Sequence, residues 1–221
     1  MAMRAVMAGP VALLAILVIA LPVTAQQHAS PPAAGERSPV AWATPTEDVR
    51  GIVNRVLMIL VDPNLKPQAK AKERRAVIRA TVRERFNFAE MARRGLAGHW
   101  GDLTPAEQEH FVRVFTDLLE VAYLDKLEYL RDEEFVYTGE RIDGDTATVN
   151  SKVVTRKNLE IPIDYKLFLR NGRWDVYDFL IDGVSLMNNY RQRFNKIIDA
   201  RSYPELVRLM EMKLEKESHE D

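Results

Sequence analysis

Apolar residues recur every three or four positions along much of this chain, but in one region they alternate with polar residues. The first spacing is typical of amphipathic helices, and the second is typical of strands with one covered face. The pattern predicts helices over 45–61, 67–85, 88–96 and 105–130, strands over 135–142, 146–155, 159–169 and 174–181, and helices over 184–200 and 203–217. A run of strands therefore separates two helical parts.

The starts of helices and the reversals of strands carry signals of their own. Thr44 and Thr104 each precede a proline, and each is followed three positions later by a glutamate, Glu47 or Glu107. This is the capping-box arrangement, in which the two side chains accept each other's backbone N–H groups. Asn171-Gly172 lies between two strand patterns and is a strong signal for a two-residue hairpin turn.

These elements predict an α+β fold, with helices packed on one face of a curved, four-stranded antiparallel sheet. Strands and helices do not alternate along the chain, and no GxxxxGK[ST] motif occurs. A Rossmann domain and a phosphate-binding loop are therefore not expected. The fourth strand is apolar on both faces, which is typical of a central or doubly covered strand. We expect a single domain over 45–217.

The N-terminus has the features of a secretory signal peptide. Arg4 gives a positive start, Val11 to Leu21 form a short apolar run, and the small residues Val23 and Ala25 suit cleavage after Ala25. A retained N-terminal anchor is the alternative. We expect a signal peptide over 1–25, a disordered Pro- and Ala-rich leader over 26–44, and a charged tail over 218–221.

The composition excludes several classes of function. Lys and Arg number 31 against 32 Asp and Glu, for a net charge of -1, whereas nucleic-acid-binding surfaces are basic. The chain has no cysteine, which excludes disulfides, thiol catalysis and cysteine-based metal sites. Its four histidines are scattered and lack the i, i+4 spacing of a helical metal site. Neither a metal site nor a nucleic-acid partner is expected.

The segment VYDFLIDGVSLMNNYRQRF, residues 176–194, joins the fourth strand to the next helix. Asp182-Gly183 lets the chain reverse, and either Asp182 or Ser185 can cap the helix. Asp178 lies between apolar neighbours, where an unpaired carboxylate is costly. We predict that Asp178 pairs with Arg191 or with backbone donors near the turn. Structural roles are thus assigned to Asp178, Asp182, Gly183 and Arg191.

Two interpretations of the apolar residues remain open at this point. Methionine and aromatic side chains are frequent on the helical faces, and they suit an adaptable pocket as well as a solid core. The enzymatic alternative is a general base with tyrosine donors, for which the candidate parts are Asp164, Tyr165, Tyr177 and Asp178. Asp164 falls on the polar face of its strand, which favours a solvated carboxylate over a catalytic one.

Two long segments resemble recurrent sequences of the MlaC, or toluene-tolerance, family of periplasmic phospholipid-binding proteins. They are WDVYDFLIDGVSLMNNYRQRF (174–194) and FNFAEMARRGLAGHW (86–100). LTPAEQEHFVRVFTDLLEVAYLDKL and IPIDYKLF fit as well, so the resemblance extends from Thr46 to Leu214. It implies a helix-covered curved sheet related to the NTF2-like cone, which agrees with the order of elements.

The resemblance implies a periplasmic lipid carrier rather than an enzyme. Family members hold phospholipid acyl chains as cargo, without a cofactor. They shuttle lipid between an outer-membrane lipoprotein complex and an inner-membrane ABC transporter with an MCE-domain ring. A related branch is associated with hopanoids, so a hopanoid carrier is one alternative. An NTF2-like enzyme acting on a small apolar substrate is the other.

Lipid carriage assigns candidate residues to two regions. Apolar residues on faces that converge over the sheet are the candidate acyl-chain contacts: Val56, Leu60, Met91, Phe111, Phe115, Leu167 and Tyr190. Basic residues beside the short helix over 88–96 are the candidate headgroup or partner surface: Arg83, Arg85, Arg93 and Arg94. The alternative interpretation of these arginines is a solvated face paired with nearby acids.

Overall fold

The structure is a computed structural model that describes residues 43–127, 130 and 133–218. The predicted signal peptide, the leader up to residue 42 and residues 219–221 of the predicted tail lie outside the described residues. The end of the predicted leader belongs to the folded part, because Thr44 is the N-cap of the first helix.

The helices lie close to the predicted positions, although the helix predicted over 67–85 begins at Ala71, and residues 128–129 of the helix predicted over 105–130 lie outside the described residues. Within the described residues they are α1 (Pro45–Val61), α2 (Ala71–Arg83), α3 (Phe88–Leu96), α4 (Pro105–Leu127), α5 (Leu186–Ala200) and α6 (Tyr203–Ser218), with 3-10 turns at Gln68–Lys70 and Ala97–Asp102. Both predicted capping boxes are present: the hydroxyl of Thr44 accepts from the N–H of Glu47 at 3.2 Å, and that of Thr104 from the N–H of Glu107 at 3.3 Å.

Residues 134–185 contain one antiparallel sheet in the order β1-β2-β3-β4-β5. The strands are β1 (Glu134–Asp143), β2 (Thr146–Val154), β3 (Glu160–Arg170), β4 (Arg173–Ile181) and β5 (Val184–Ser185). The α+β fold is confirmed, with β5 as an addition to the four predicted strands. β5 occupies two residues that the apolar pattern placed in the helix. Ser185 then caps α5, its hydroxyl accepting from the N–H of Asn188 at 3.0 Å.

β4 lies between β3 and β5, and its consecutive residues Trp174, Asp175 and Val176 are buried, as expected of a central or doubly covered strand. One edge pairs with β3. The other edge pairs with β5 at its end and is covered near its start by the loop between α2 and α3: the N–H of Val176 donates to the carbonyl of Arg85 at 2.7 Å, and its carbonyl accepts from Asn87 at 2.8 Å. A bulge at Tyr177 shifts the β3–β4 register, so that Val176 and Phe179 lie opposite Leu167 and Tyr165. The bulge brings both apolar residues to the same face, which explains the lack of alternation.

Buried side chains of the described residues form three clusters. The helical cluster lies among α3, α4, α5 and α6 and includes Met91, Leu96, Phe111, Phe115, Met187, Phe194 and Leu206. The sheet cluster joins α1 to the strands and includes Val49, Ala147, Val149, Tyr165, Leu167, Trp174 and Val176. The α1–α2 cluster consists of Val56, Leu60 and Ile78 with partly buried neighbours.

Candidate functional site

Half-buried aromatic rings connect the helical cluster to the sheet cluster. Phe86 and Phe179 each pack against both clusters, and their ring centroids lie 6.3 Å apart in an edge-on arrangement. Phe179 also meets the Tyr123 ring edge-on at 6.0 Å, and Phe88 stacks on Phe86 at 6.4 Å. We call Phe86, Phe88, Tyr123 and Phe179 the aromatic junction.

Three rings of the junction are each positioned by a different feature of the chain. Phe86 forms a single parallel bridge with Val176 of β4, which holds the α2–α3 loop against the sheet. Phe179 faces the helices because of the bulge at Tyr177. Tyr123 continues, by two steps of four residues, the stripe on α4 that contains Phe115. Helix, loop and strand thus converge on one partly exposed apolar region.

The seven predicted acyl-chain contacts are divided among the three clusters. Met91, Phe111 and Phe115 belong to the helical cluster, Leu167 to the sheet cluster, and Val56 and Leu60 to the α1–α2 cluster. All six are covered almost completely by protein atoms. Tyr190 is half-buried, and its ring lies edge-on to Phe115 at 5.2 Å. Among the seven, Tyr190 is therefore the residue with substantial exposed surface.

Two of the four predicted surface arginines are engaged by acids on other helices. The Nε of Arg83 donates to the buried carboxylate of Glu120 at 2.6 Å, and this hydrogen bond raises the pKa of Arg83. The Nε of Arg85 donates to Asp48 of α1 at 3.3 Å. Both arginines therefore connect helices to one another, α2 to α4 and the α2–α3 loop to α1.

The other two arginines share one acid on their own helix. Arg93 donates twice to the Glu90 carboxylate and Arg94 donates once, each at 2.7 Å. Burial raises the pKa of Glu90, but the hydrogen bonds and charges of the two arginines outweigh burial and lower it overall. The Arg94 guanidinium also stacks on the Tyr177 ring, 3.7 Å from its centroid. About half of the Arg93 side chain remains exposed, at 52%.

Asp178 is buried and paired, but its partner is not Arg191. One oxygen accepts from the Ser185 hydroxyl at 2.5 Å, and the other accepts from the backbone N–H of Met187 at 3.0 Å. Arg191 instead donates to Asn188, one turn earlier on α5, at 2.6 Å. The predicted Asp178–Arg191 pair is wrong because unpaired N–H groups at the start of α5 lie nearer to the carboxylate. The alternative prediction, a backbone donor close to the turn, agrees with the structure.

The turn before α5 has the geometry that its sequence predicts. Asp182 and Gly183 both have positive φ, 51° and 76°, which is the left-handed region that two-residue hairpin turns require. The N–H of Asp182 donates to the carbonyl of Pro162 at 3.0 Å. The turn thereby brings Ser185 back beside β4, where it meets Asp178.

Comparison with known proteins identifies the family. Residues 50–212 match the family model described as MlaC protein. The chain belongs to the MlaC family. Among solved structures, a phospholipid-binding protein from Ralstonia solanacearum in complex with a phospholipid matches with a TM-score of 0.68 and 24% sequence identity, over 77% of this chain and 97% of that chain. At this identity the likeness supports the fold. A search of curated proteins finds no match.

The residues of the enzymatic alternative do not converge in this MlaC-family chain. Asp164 and Tyr165 are consecutive on β3 and point to opposite faces of the sheet. Asp164 accepts from Asn150 at 2.8 Å, while burial raises the pKa of Tyr165 in the sheet cluster. Tyr177 lies under Arg94, and Asp178 is occupied by Ser185 and Met187. These residues therefore have structural contacts and no shared centre.

The described part of the MlaC-family chain lacks two common functional features. There, no group of three or more His, Asp or Glu residues could hold a metal ion. No helix in the same residues is long and apolar enough to cross a bilayer. The aromatic junction, where half-buried rings connect two packed clusters, is the candidate functional site.

Proposed function

We propose that this MlaC-family protein is an exported, periplasmic carrier that encloses the acyl chains of a phospholipid between its helices and its sheet. The observation that carries the proposal is the aromatic junction, a set of half-buried rings between two separately packed clusters. Large apolar groups with unused surface between packed layers are typical of lipid-binding interiors. Family membership and the fold shared with a phospholipid-binding protein support the same interpretation.

The physical need for such a carrier follows from the cost of exposing acyl chains to water. Two chains contain about 30 methylene groups, and at about 0.8 kcal/mol each their exposure costs roughly 25 kcal/mol. A free phospholipid therefore crosses an aqueous compartment too rarely to be useful, and a carrier must cover its tails. The headgroup can stay in water, so the interior needs little polar chemistry.

The acyl chains enter at the junction and reach deeper by separating the helical cluster from the sheet cluster. At this boundary the two clusters meet through partly buried rings such as Phe86 and Phe179. Met91 lies fully buried in the helical cluster, and its flexible side chain can adapt to a chain of variable shape. Leu167 of the sheet cluster and Tyr190 on α5 then form opposite walls.

A carrier that covers acyl chains this completely must release them to a docked partner, because release into water carries the full cost of exposure. The proposed partners are an outer-membrane lipoprotein complex and an inner-membrane ABC transporter with an MCE-domain ring. Arg93 and Arg94 are the proposed docking charges. They lie on α3, the helix that begins beside Phe86 and Phe88 of the junction.

The test is native mass spectrometry, with lipid extraction, of the full chain exported to and purified from a bacterial periplasm. We expect a complex with one phospholipid, whose fragments include a phosphate-containing headgroup. A hopanoid in its place would change the cargo while retaining the carrier function. Protein that stays free of lipid after exposure to both lipids in detergent would contradict the proposal and favour an adaptor with a solid core.

A further inference from the structure

Tyr123 of the aromatic junction and Tyr190 of α5 each have a cation one helical turn further along. Tyr123 and Lys126 lie on α4, with the Lys126 ammonium 4.9 Å from the centroid of the Tyr123 ring. Tyr190 and Arg193 have the same i, i+3 spacing on α5. Both tyrosines are half-buried, whereas Lys126 and Arg193 are exposed. We call these four residues the tyrosine–cation cluster.

Both tyrosines pack against the helical cluster, and the Tyr190 ring of α5 meets Phe115 of α4 edge-on at 5.2 Å, so that side chains of α4 and α5 meet beside this cluster. Burial raises the pKa of Tyr190 to about 12, and it raises that of Tyr123 as well. In both cases the Arg193 charge lowers the pKa, and the nearby Tyr123 hydroxyl raises the pKa of Tyr190 further. Arg193 thus exerts its field on a hydroxyl of its own helix and on one from α4.

Among the side chains that the structure describes, the polar groups of the cluster have no hydrogen-bond acceptor or acid to satisfy them. Neither tyrosine hydroxyl makes a hydrogen bond there, and neither Lys126 nor Arg193 forms an ion pair. Arg93 and Arg94 differ in this respect, since both are held by Glu90. Two hydroxyl donors and two cations are therefore available to a ligand that accepts hydrogen bonds and carries negative charge.

We propose that Tyr123, Lys126, Tyr190 and Arg193 bind the phosphate group of a lipid headgroup at the mouth of the acyl-chain site. This inference rests on the proposed function and adds to it the position and chemistry of the headgroup. The same four donors also suit free phosphate, which shares that chemistry; we assign them to the lipid because their rings belong to the apolar region.

The two tyrosine rings join the cluster to the apolar site. Tyr123 meets Phe179 of the junction edge-on at 6.0 Å, and Tyr190 meets Phe115 edge-on at 5.2 Å. A phosphate held by the hydroxyls and cations thus has apolar surface directly beneath it, where its acyl chains can enter. Arginine suits this task because its planar guanidinium donates two hydrogen bonds to phosphate oxygens.

The test compares two lipids with identical acyl chains, phosphatidylglycerol and neutral diacylglycerol, in competition for the delipidated full chain. We expect the unmodified protein to prefer phosphatidylglycerol. Lys126→Gln combined with Arg193→Gln should reduce that preference by roughly tenfold while leaving diacylglycerol binding unchanged. Tyr123→Phe combined with Tyr190→Phe keeps both rings and should reduce the preference severalfold.

The matched control is Lys213→Gln combined with Lys216→Gln, which removes the same charge from exposed positions on α6. It should leave the preference unchanged. An unmodified protein that binds both lipids equally, or a preference that survives the Lys126 and Arg193 substitutions, would overturn the inference but not lipid carriage. Failure to bind either lipid would reject the proposed function itself.

A third arm uses inorganic phosphate alone. If phosphate raises the melting temperature in an Arg193-dependent way, and the lipid preference does not depend on Arg193, the cluster binds a free anion and the headgroup assignment is wrong. If phosphate has no such effect and the preference depends on Arg193, the assignment to the lipid headgroup is supported.

Discussion

The carboxylate of Asp178 accepts a hydrogen bond from the backbone N–H of Met187 at 3.0 Å, so that β4 caps the first turn of the helix that follows it. Its other oxygen accepts from Ser185 at 2.5 Å, and the Ser185 hydroxyl accepts in turn from the N–H of Asn188 at 3.0 Å. These three bonds fix α5 against the sheet. They thereby position Tyr190 and Arg193, one and two turns further along the same helix.

Asp178→Ala should lower the free energy of unfolding by about 2–4 kcal/mol, because it leaves a buried N–H and a partly buried hydroxyl without their charged acceptor. Arg191→Ala is the matched control, since Arg191 is exposed and bonds only to Asn188 within α5. That variant should change stability by no more than about 0.5 kcal/mol. Urea unfolding measures both. Equal losses of unfolding free energy in the two variants would indicate that Asp178 pairs with Arg191, contrary to the structure.

Gly183→Ala should destabilise the protein by about 1 kcal/mol, because φ at Gly183 is 76° and alanine is strained there. Space is not the cause, since a Cβ at this position meets no atom within 4 Å. Gly51→Ala is the control within α1, where a Cβ also meets nothing. It should stabilise the protein by up to about 1 kcal/mol through helix propensity. Thermal unfolding of the two variants gives the sign of each stability change. A loss of stability in Gly51→Ala would contradict the helix assignment.

Substitution of two phenylalanines should distinguish an effect on lipid binding from an effect on folding. Phe179 is half-buried in the aromatic junction. Phe179→Ala should therefore lower the fraction of protein that carries lipid and have only a small effect on the free energy of unfolding. Phe111 is fully buried in the helical cluster, and Phe111→Ala should cost about 3–5 kcal/mol of stability. Urea unfolding and lipid extraction of both variants measure the two effects. Full lipid occupancy in folded Phe179→Ala protein would remove Phe179 from the site.

Arg93→Glu should slow transfer of a fluorescent phospholipid to a partner protein at low salt and have little effect at high salt. Charges at the edge of an interface mainly change the encounter rate, and salt screens them. Arg113→Glu is the control, because Arg113 is also exposed and also pairs with a glutamate of its own helix, Glu109. Lipid content should be unchanged in both. Equal transfer rates for the two variants at all ionic strengths would exclude the α3 face as a docking surface.

The elements with local signals were predictable from the sequence. The capping boxes at Thr44 and Thr104 gave the starts of α1 and α4, because the cap requires only residues three positions apart. Asn171-Gly172 gave the hairpin between β3 and β4, and both residues have positive φ, 50° and 77°. Each of these features depends on neighbours along the chain.

The features that build the candidate site depend on contacts distant in sequence. The bulge at Tyr177 results from the pairing of β4 with β3, and it brings Phe179 to the helical side. Phe86 reaches the site through its bridge to Val176, ninety positions away in the sequence. Tyr123 alone carried a usable signal, since it continues the apolar stripe of α4.

The most direct test of lipid carriage at this site uses a phospholipid with a photoactivatable group midway along one acyl chain. The lipid is loaded into the delipidated full chain, irradiated, and its attachment points are mapped by peptide mass spectrometry. The account predicts labelling at the aromatic junction, on peptides that contain Phe86, Phe88, Tyr123 or Phe179. Labelling confined to exposed apolar residues such as Met58 and Val61 of α1, with none at the junction, would contradict it.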